Sequence, residues 1–173
     1  MIDDFGFIRN KLEIKILILF ILRRLPEPIS FEALTELTMC DENISYFEFA
    51  DCVSDLVKNG NLIVVDDKYT LTQKGARNSE ITEINLPYSI REKAEKKSSA
   101  LRSAQSRNAM IKTAHDSLPD SGCKVKLSLS DGMGEIVSME LLAANEKQAI
   151  SLENGFRKNA EKIYNKLIEM ILE

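Results

Sequence analysis

Between Ser45 and Leu71 the chain reads SYFEFADCVSDLVKNGNLIVVDDKYTL, and its hydrophobic period changes halfway along. Up to Lys58 the apolar residues Phe49, Val53, Leu56 and Val57 stand at i, i+4, i+7 and i+8, the spacing of one helix face. Ser45 and Glu48 have the Ser-x-x-Glu spacing of a capping box, in which each side chain takes up a free amide at the helix start. Gly60 falls where a helix ends in a left-handed residue. Beyond it, Leu62–Val65 and Lys68–Leu71 are β-prone segments around Asp66-Asp67, which predicts a hairpin.

Two more helices precede this stretch. Lys11–Arg24 is apolar all round in its central turns, so it is expected to be largely buried, and Pro26-Glu27-Pro28 stops it. Ser30 is the expected N-cap of a short second helix carrying Phe31, Leu34 and Leu37. Three helices followed by a hairpin is the order of a winged helix. In that fold the third helix enters the major groove and the hairpin lies along the backbone.

After the hairpin, Ser89–Lys112 favours helix, with a narrow seam at Ile90, Ala94, Leu101 and Ala104. Cys123–Ser130 alternates strictly, Asp131-Gly-Met-Gly134 is a turn, and Glu135–Ala143 is a second strand with Val137, Met139 and Leu141 inward. Asn145 with Gln148 caps a long last helix, whose stripe runs Ala149, Leu152, Phe156, Ala160, Ile163, Leu167 and Ile171. The expected fold class is α+β: an N-terminal winged helix-turn-helix, a linking helix, a β-hairpin and a long C-terminal helix. The expected divisions are 1–88, a winged-helix domain; 89–112, a basic connecting helix; and 113–173, a hairpin and helix with a dimerisation or regulatory role. Two strands and one helix make a thin core, and that predicts a homodimer.

Four stretches carry a resemblance. They are Ile18-Leu19-Phe20-Ile21-Leu22, Leu71-Thr72-Gln73-Lys74-Gly75, Leu86-Pro87-Tyr88-Ser89-Ile90-Arg91-Glu92-Lys93 and Phe156-Arg157-Lys158-Asn159-Ala160-Glu161-Lys162-Ile163-Tyr164. In this order the chain resembles a bacterial family of predicted winged-helix transcriptional regulators built on a domain of unknown function. The resemblance implies a winged helix with an α+β tail, and a regulatory role.

Composition closes off several alternatives. The 173 residues include 23 basic and 27 acidic side chains, a net charge of −4, so bulk charge does not draw this protein onto nucleic acid. Ile16–Leu22 is far shorter than the roughly 20 residues of a membrane span. Asp3, Asp4 and Glu13 before it and Arg23-Arg24-Leu25-Pro26 after it make it a poor secretory signal. Three Cys without a CxxC indicate neither a disulfide framework nor a zinc site, and free thiols fit the cytoplasm. Cys40 and Cys52 are read as packing residues, not as a redox pair. His115-Asp116 has no nucleophile or metal-binding pattern beside it and is read as a solvated loop. Gly132-Met-Gly134 joins two strands and so lacks the helix N-terminus that phosphate cradling needs. No enzyme, cofactor or metal is expected.

The candidate interface is with DNA. Asp41, Glu42, Glu48, Asp51 and Asp55 give the third helix and its approach five acids and no base before Lys58. Base reading is therefore left to Ser45, Tyr46 or Ser54. Phosphate contacts are expected from Lys58, the wing residue Lys68, Lys74, and Arg91, Lys96, Lys97 and Arg102 of the connector. Residues 89–112 hold seven cations against two acids. The expected function is a DNA-binding transcriptional regulator of winged-helix type. The alternative is a winged-helix protein-interaction module that docks through its acidic third helix without binding DNA.

Overall fold

Helix α1 (Lys11–Arg23) is buried from Ile16 to Leu22 on every side, as its all-round apolar sequence requires. Asn10 caps it, accepting from the Glu13 amide at 3.0 Å. The computed structural model describes residues 6–119 and 122–173, and the chain divides into two compact units, Met1–Gln105 and Ser106–Glu173. It is a mixed α+β protein with six α-helices and two small antiparallel sheets among the described residues.

In the first unit α1 packs against α2 (Phe31–Thr38) and α3 (Tyr46–Lys58). Ser30 caps α2 through its hydroxyl, which accepts from the Ala33 amide at 3.2 Å. The capping box expected at Ser45 and Glu48 does not form. Ser45 is exposed and its side chain makes no cap bond, so water can serve the first amides of α3. The other end follows the sequence closely. Gly60 is left-handed at φ +68°, its amide donates to Val57 O, and the Asn61 amide donates to Leu56 O. These two bonds make a Schellman motif.

Strands β2 (Leu62–Val65) and β3 (Lys68–Leu71) pair in register, Leu62 with Leu71 and Val65 with Lys68. Asp66 and Asp67 both take positive φ, 50° and 58°, as a two-residue turn between twisted strands demands. A short β1 (Ile29–Ser30) adds to the free edge of β3. Phe31, Phe49 and Tyr69 meet beneath this sheet, with ring centroids 5.4 and 5.8 Å from Phe31.

Helix α4 (Gln73–Thr82) has no counterpart in the expected order, which passes from the hairpin directly to the connector. It buries only Gly75 and Ser79, so it shows no apolar stripe to be read. Its origin is the Leu71-Thr72-x-x-Gly75 stretch. Thr72 Oγ1 accepts from the Gly75 amide at 3.1 Å and donates to Gly60 O at 2.6 Å. This ties the start of α4 to the end of α3. Helix α5 (Tyr88–Met110) then buries Ile90, Ala94, Ser98 and Gln105.

The second unit corrects the expected hairpin. It is a three-stranded sheet, β4 (Ile111–Ser117), β5 (Cys123–Ser130) and β6 (Glu135–Ala143), covered on one face by α6 (Glu146–Leu172). Strand β4 carries one buried apolar residue, Ile111, so its alternation is invisible in sequence. Pairing with β5, from Ile111 with Leu129 to Ser117 with Cys123, is what makes it a strand. His115 is consequently not in a solvated loop. It is half-buried on β4, with Nδ1 2.8 Å from Glu153 Oε1 of α6. The core holds Val125, Leu127 and Leu129 of β5 against Ala149, Phe156 and Ala160 of α6. Asn145 and Gln148 cap α6 as expected.

Two apolar positions depart from the expected stripes. Leu141, placed inward by alternation, is 39% exposed on β6. Ile171 of α6 is also exposed, together with Ile168, Met170 and Leu172. Small residues on α6 explain the first. Ser151, Gly155 and Asn159 leave a groove of about 370 Å³ beside Leu141 and Met139.

Candidate nucleic-acid interface

Helix α3 turns Phe49, Cys52, Val53 and Leu56 inward, and this leaves Phe47, Asp51, Ser54 and Lys58 on the outward face. Phe47 is 80% exposed. The acids lie differently from what their number suggests. Asp51 Oδ2 is 3.0 Å from Lys11 Nζ and Asp55 Oδ2 is 2.9 Å from Lys15 Nζ, both lysines belonging to α1. The hydrogen bond from Lys15 holds the Asp55 carboxyl below the usual aspartate range, and the bond to Asp51 raises Lys11. Asp41 is buried, accepting from the backbone and side-chain N–H groups of Asn43 at 3.0 Å. Three of the five acids are thus matched within the unit. Sequence could not show this, because α1 and α3 are forty residues apart and neither helix contains both partners.

The residues expected to read bases are all exposed. Ser45 stands at the N-terminus of α3, Ser54 on its outward face, and Tyr46 edge-on to Phe31 with centroids 6.5 Å apart. Lys58 and Lys68 are exposed, and their side chains have no hydrogen-bond or ion-pair partner among the described residues. Asp66 and Asp67 occupy the tip of the hairpin.

Three of the remaining five expected cations are engaged. Lys74 Nζ donates to Asn59 O at 2.6 Å, at the C-terminus of α3. Lys97 Nζ donates to Met39 O at 2.8 Å and Glu36 O at 3.3 Å, at the C-terminus of α2. Both place a positive charge on the free carbonyls of a helix end. Arg102 is paired with Glu95 at 2.6 Å. Arg91 is half-buried, and Lys96 is exposed with no side-chain hydrogen-bond or ion-pair partner among the described residues. Of the seven expected cations, Lys74, Lys97 and Arg102 are thus held by partners within the first unit.

Two further residues belong to the surface although no pattern in the sequence marked them. Lys11 and Lys15 neutralise the flank of α3, and their signal is tertiary alone. All three cysteines are free thiols. Cys52 is buried, its thiol donates to Lys11 O at 3.4 Å, and burial raises its pKa, as it does that of Cys40. Among the described residues no group of three His, Cys, Asp or Glu is placed to hold a metal, and no helix is long and apolar enough to cross a membrane.

No curated protein and no solved structure matches the chain. A family match does exist and spans both units: the model of the domain of unknown function DUF4364 covers residues 14–171, and the chain belongs to that family.

Proposed function

We propose that the first unit is a winged helix that binds DNA, and that the protein is a cytoplasmic transcriptional regulator and not an enzyme. In this reading α1, α2 and α3 are its three helices and β2–β3 its wing. The observation that carries it is the pairing of Asp51 and Asp55 with Lys11 and Lys15. It matches the acids of the outward face and its flank with cations from α1, beside Phe47, Ser54 and Lys58. An exposed Phe suits the methyl group of thymine, a Ser either base edge, and a Lys a phosphate. Ser45 and the N-terminal amides of α3 suit a second phosphate. Lys68 supplies the wing contact.

The regulator acts as a homodimer. The groove beside Leu141 and the exposed Ile168, Met170, Ile171 and Leu172 leave the second unit with apolar surface that a second copy would cover. Two copies present two α3 helices, matching a two-fold operator. Fluorescence anisotropy with random and genomic duplexes tests the reading. Binding that Phe47→Ala, Ser54→Ala and Lys58→Gln each weaken supports it, and no binding at low salt refutes it.

A second reading rests on the hairpin tip. Asp66 and Asp67 would face phosphates there, and Ile63 and Val65 are about half exposed next to them. An acidic tip flanked by apolar residues suits a basic, apolar protein partner. If DNA is not bound, this protein-interaction module is the reading that remains.

A further inference from the structure

In the first unit a groove of about 530 Å³ is lined by α1 and the first turns of α5. Phe20 lines it from α1 and Arg24 from the C-cap of that helix, and Tyr88, Arg91 and Lys96 line it from α5. The Arg24 guanidinium carbon sits 3.4 Å over the centroid of the buried Phe20 ring. Tyr88 is largely exposed and holds its ring 5.8 Å from the Arg91 guanidinium carbon.

Three cations, Arg24, Arg91 and Lys96, and two acids, Glu92 and Glu95, line this groove, so its charges are unevenly matched. Arg24 is bound to Glu83 at 3.3 Å and to Glu95 at 2.7 Å, while Arg102 takes the other oxygen of Glu95. Burial opposes ionisation of Glu95, but the bond and charge of Arg102, with Arg24 beside it, hold its carboxyl below the usual range. That carboxylate is fully occupied. Arg91 and Lys96 have no acidic partner among the described residues, and Arg91 Nε is shut off from water without any acceptor. Buried polar groups nearly always find a partner, and a guanidinium without an acceptor beside a groove is able to take up an anion. The aromatic wall beside it favours an anion with an apolar body.

We propose that this groove binds a small monocarboxylate with an aromatic or short aliphatic body. The Arg91 fork turns to grip the carboxylate, with Lys96 as its second cation, and the body lies against Tyr88 and the Arg24 guanidinium that covers Phe20. Guanidinium matches carboxylate geometry through two parallel N–H bonds, which a lysine cannot reproduce. The volume lies within the range of small-molecule sites. Nothing in this assignment depends on DNA binding, because Arg91 and Lys96 take no part in the α3 surface.

The test is titration of the full chain, without DNA, with sodium salicylate and sodium octanoate. Heats of binding and the arginine Nε–H signals in NMR are followed together. Saturable one-to-one binding is expected from at least one of them, with a shift of the Arg91 signal. Arg91→Gln should weaken binding by about tenfold or more, and Arg91→Lys by less than that, since it keeps the charge and loses the fork. Tyr88→Ala should weaken it several-fold, and salicylamide should fail to compete. Arg91→Lys carries the test where Arg91→Gln lowers the melting temperature. Three results overturn the proposal: no binding of either carboxylate, binding that Arg91→Lys and Arg91→Gln leave unchanged, or equal binding of inorganic phosphate at the same signal.

Discussion

Lys15 Nζ stands 2.9 Å from Asp55 Oδ2, so α1 supplies to α3 the counter-charge that α3 lacks in its own sequence. Lys11 repeats the relationship one turn earlier with Asp51. Both pairs are exposed or half-exposed, where ion pairs add little to folding. Their consequence is for the field that an approaching polyanion meets.

The first prediction follows from that field. Lys15→Gln, although it removes a cation that need not touch DNA, should weaken DNA binding by exposing Asp55. Asp55→Asn should strengthen non-specific binding. Neither should remove a phosphate contact, so the log–log salt slope should change by much less than the roughly 0.9 that each lost contact brings. Lys58→Gln, by contrast, should flatten the slope by about one such increment. Anisotropy titrations across a salt series measure all three. Equal affinities for the parent, Lys15→Gln and Asp55→Asn would show that the pairs do not shape the interface.

A second prediction concerns acid. Hydrogen bonds hold three carboxyls below the usual aspartate range: from Lys15 at Asp55, from Lys126 at Asp116, and from the Met133 and Gly134 amides at Asp131. A carboxyl depressed in the folded state binds fewer protons there than in the unfolded chain. Its contribution is therefore complete above the ordinary aspartate pKa, near 4, and lost as pH falls through the lower folded value. The melting temperature should stay level from neutrality to about pH 5 and drop below about pH 4. Asp116→Asn should show a shallower drop than the parent. A parent profile that stays flat to about pH 3 would contradict the assignment.

Gly75 gives the third. A Cβ there would run into the Asn61 backbone carbonyl and approach Leu71 Cδ2 at 3.2 Å. Helix propensity alone favours Ala over Gly by about 1 kcal/mol. The backbone clash works the other way, and Gly75→Ala is expected to destabilise by about 1–3 kcal/mol, as overpacking does. Urea unfolding provides the measurement. A midpoint equal to or above the parent's would mean that α4 does not approach the α3–β2 loop so closely.

The last prediction is for assembly. At micromolar concentration the particle should have about twice the chain mass of 19.5 kDa. Ile168→Lys with Ile171→Lys should return it to the monomer without loss of helix content, because both side chains are exposed in the single chain. Sedimentation equilibrium decides between a dimer that dissociates on substitution and a parent that is already monomeric.

Local periodicity made the elements with an apolar face legible. Helix α1 betrays itself by seven consecutive apolar residues, α3 by Phe49, Val53 and Leu56, and β5 by alternation from Cys123 to Leu129. Gly60 marks the end of α3 because only a residue without a Cβ adopts its conformation cheaply. The Asp66-Asp67 turn is legible for a related reason, since Asp tolerates positive φ better than most side chains.

What the sequence by itself determined is thus the set of segments whose neighbours in the chain are also their partners in energy: the capped helices, the hairpin and the apolar stripes. Tertiary structure alone decided α4 and β4, whose burial is too slight to leave a pattern, since Gly75, Ser79 and Ile111 are nearly all that they bury. It also decided which charges are free. Lys11 and Lys15 meet acids forty residues away, and Lys97 reaches carbonyls about sixty residues away. A charge count along the chain cannot foresee such pairings, because electrostatic energy depends on distance in space and falls off without regard to position in sequence.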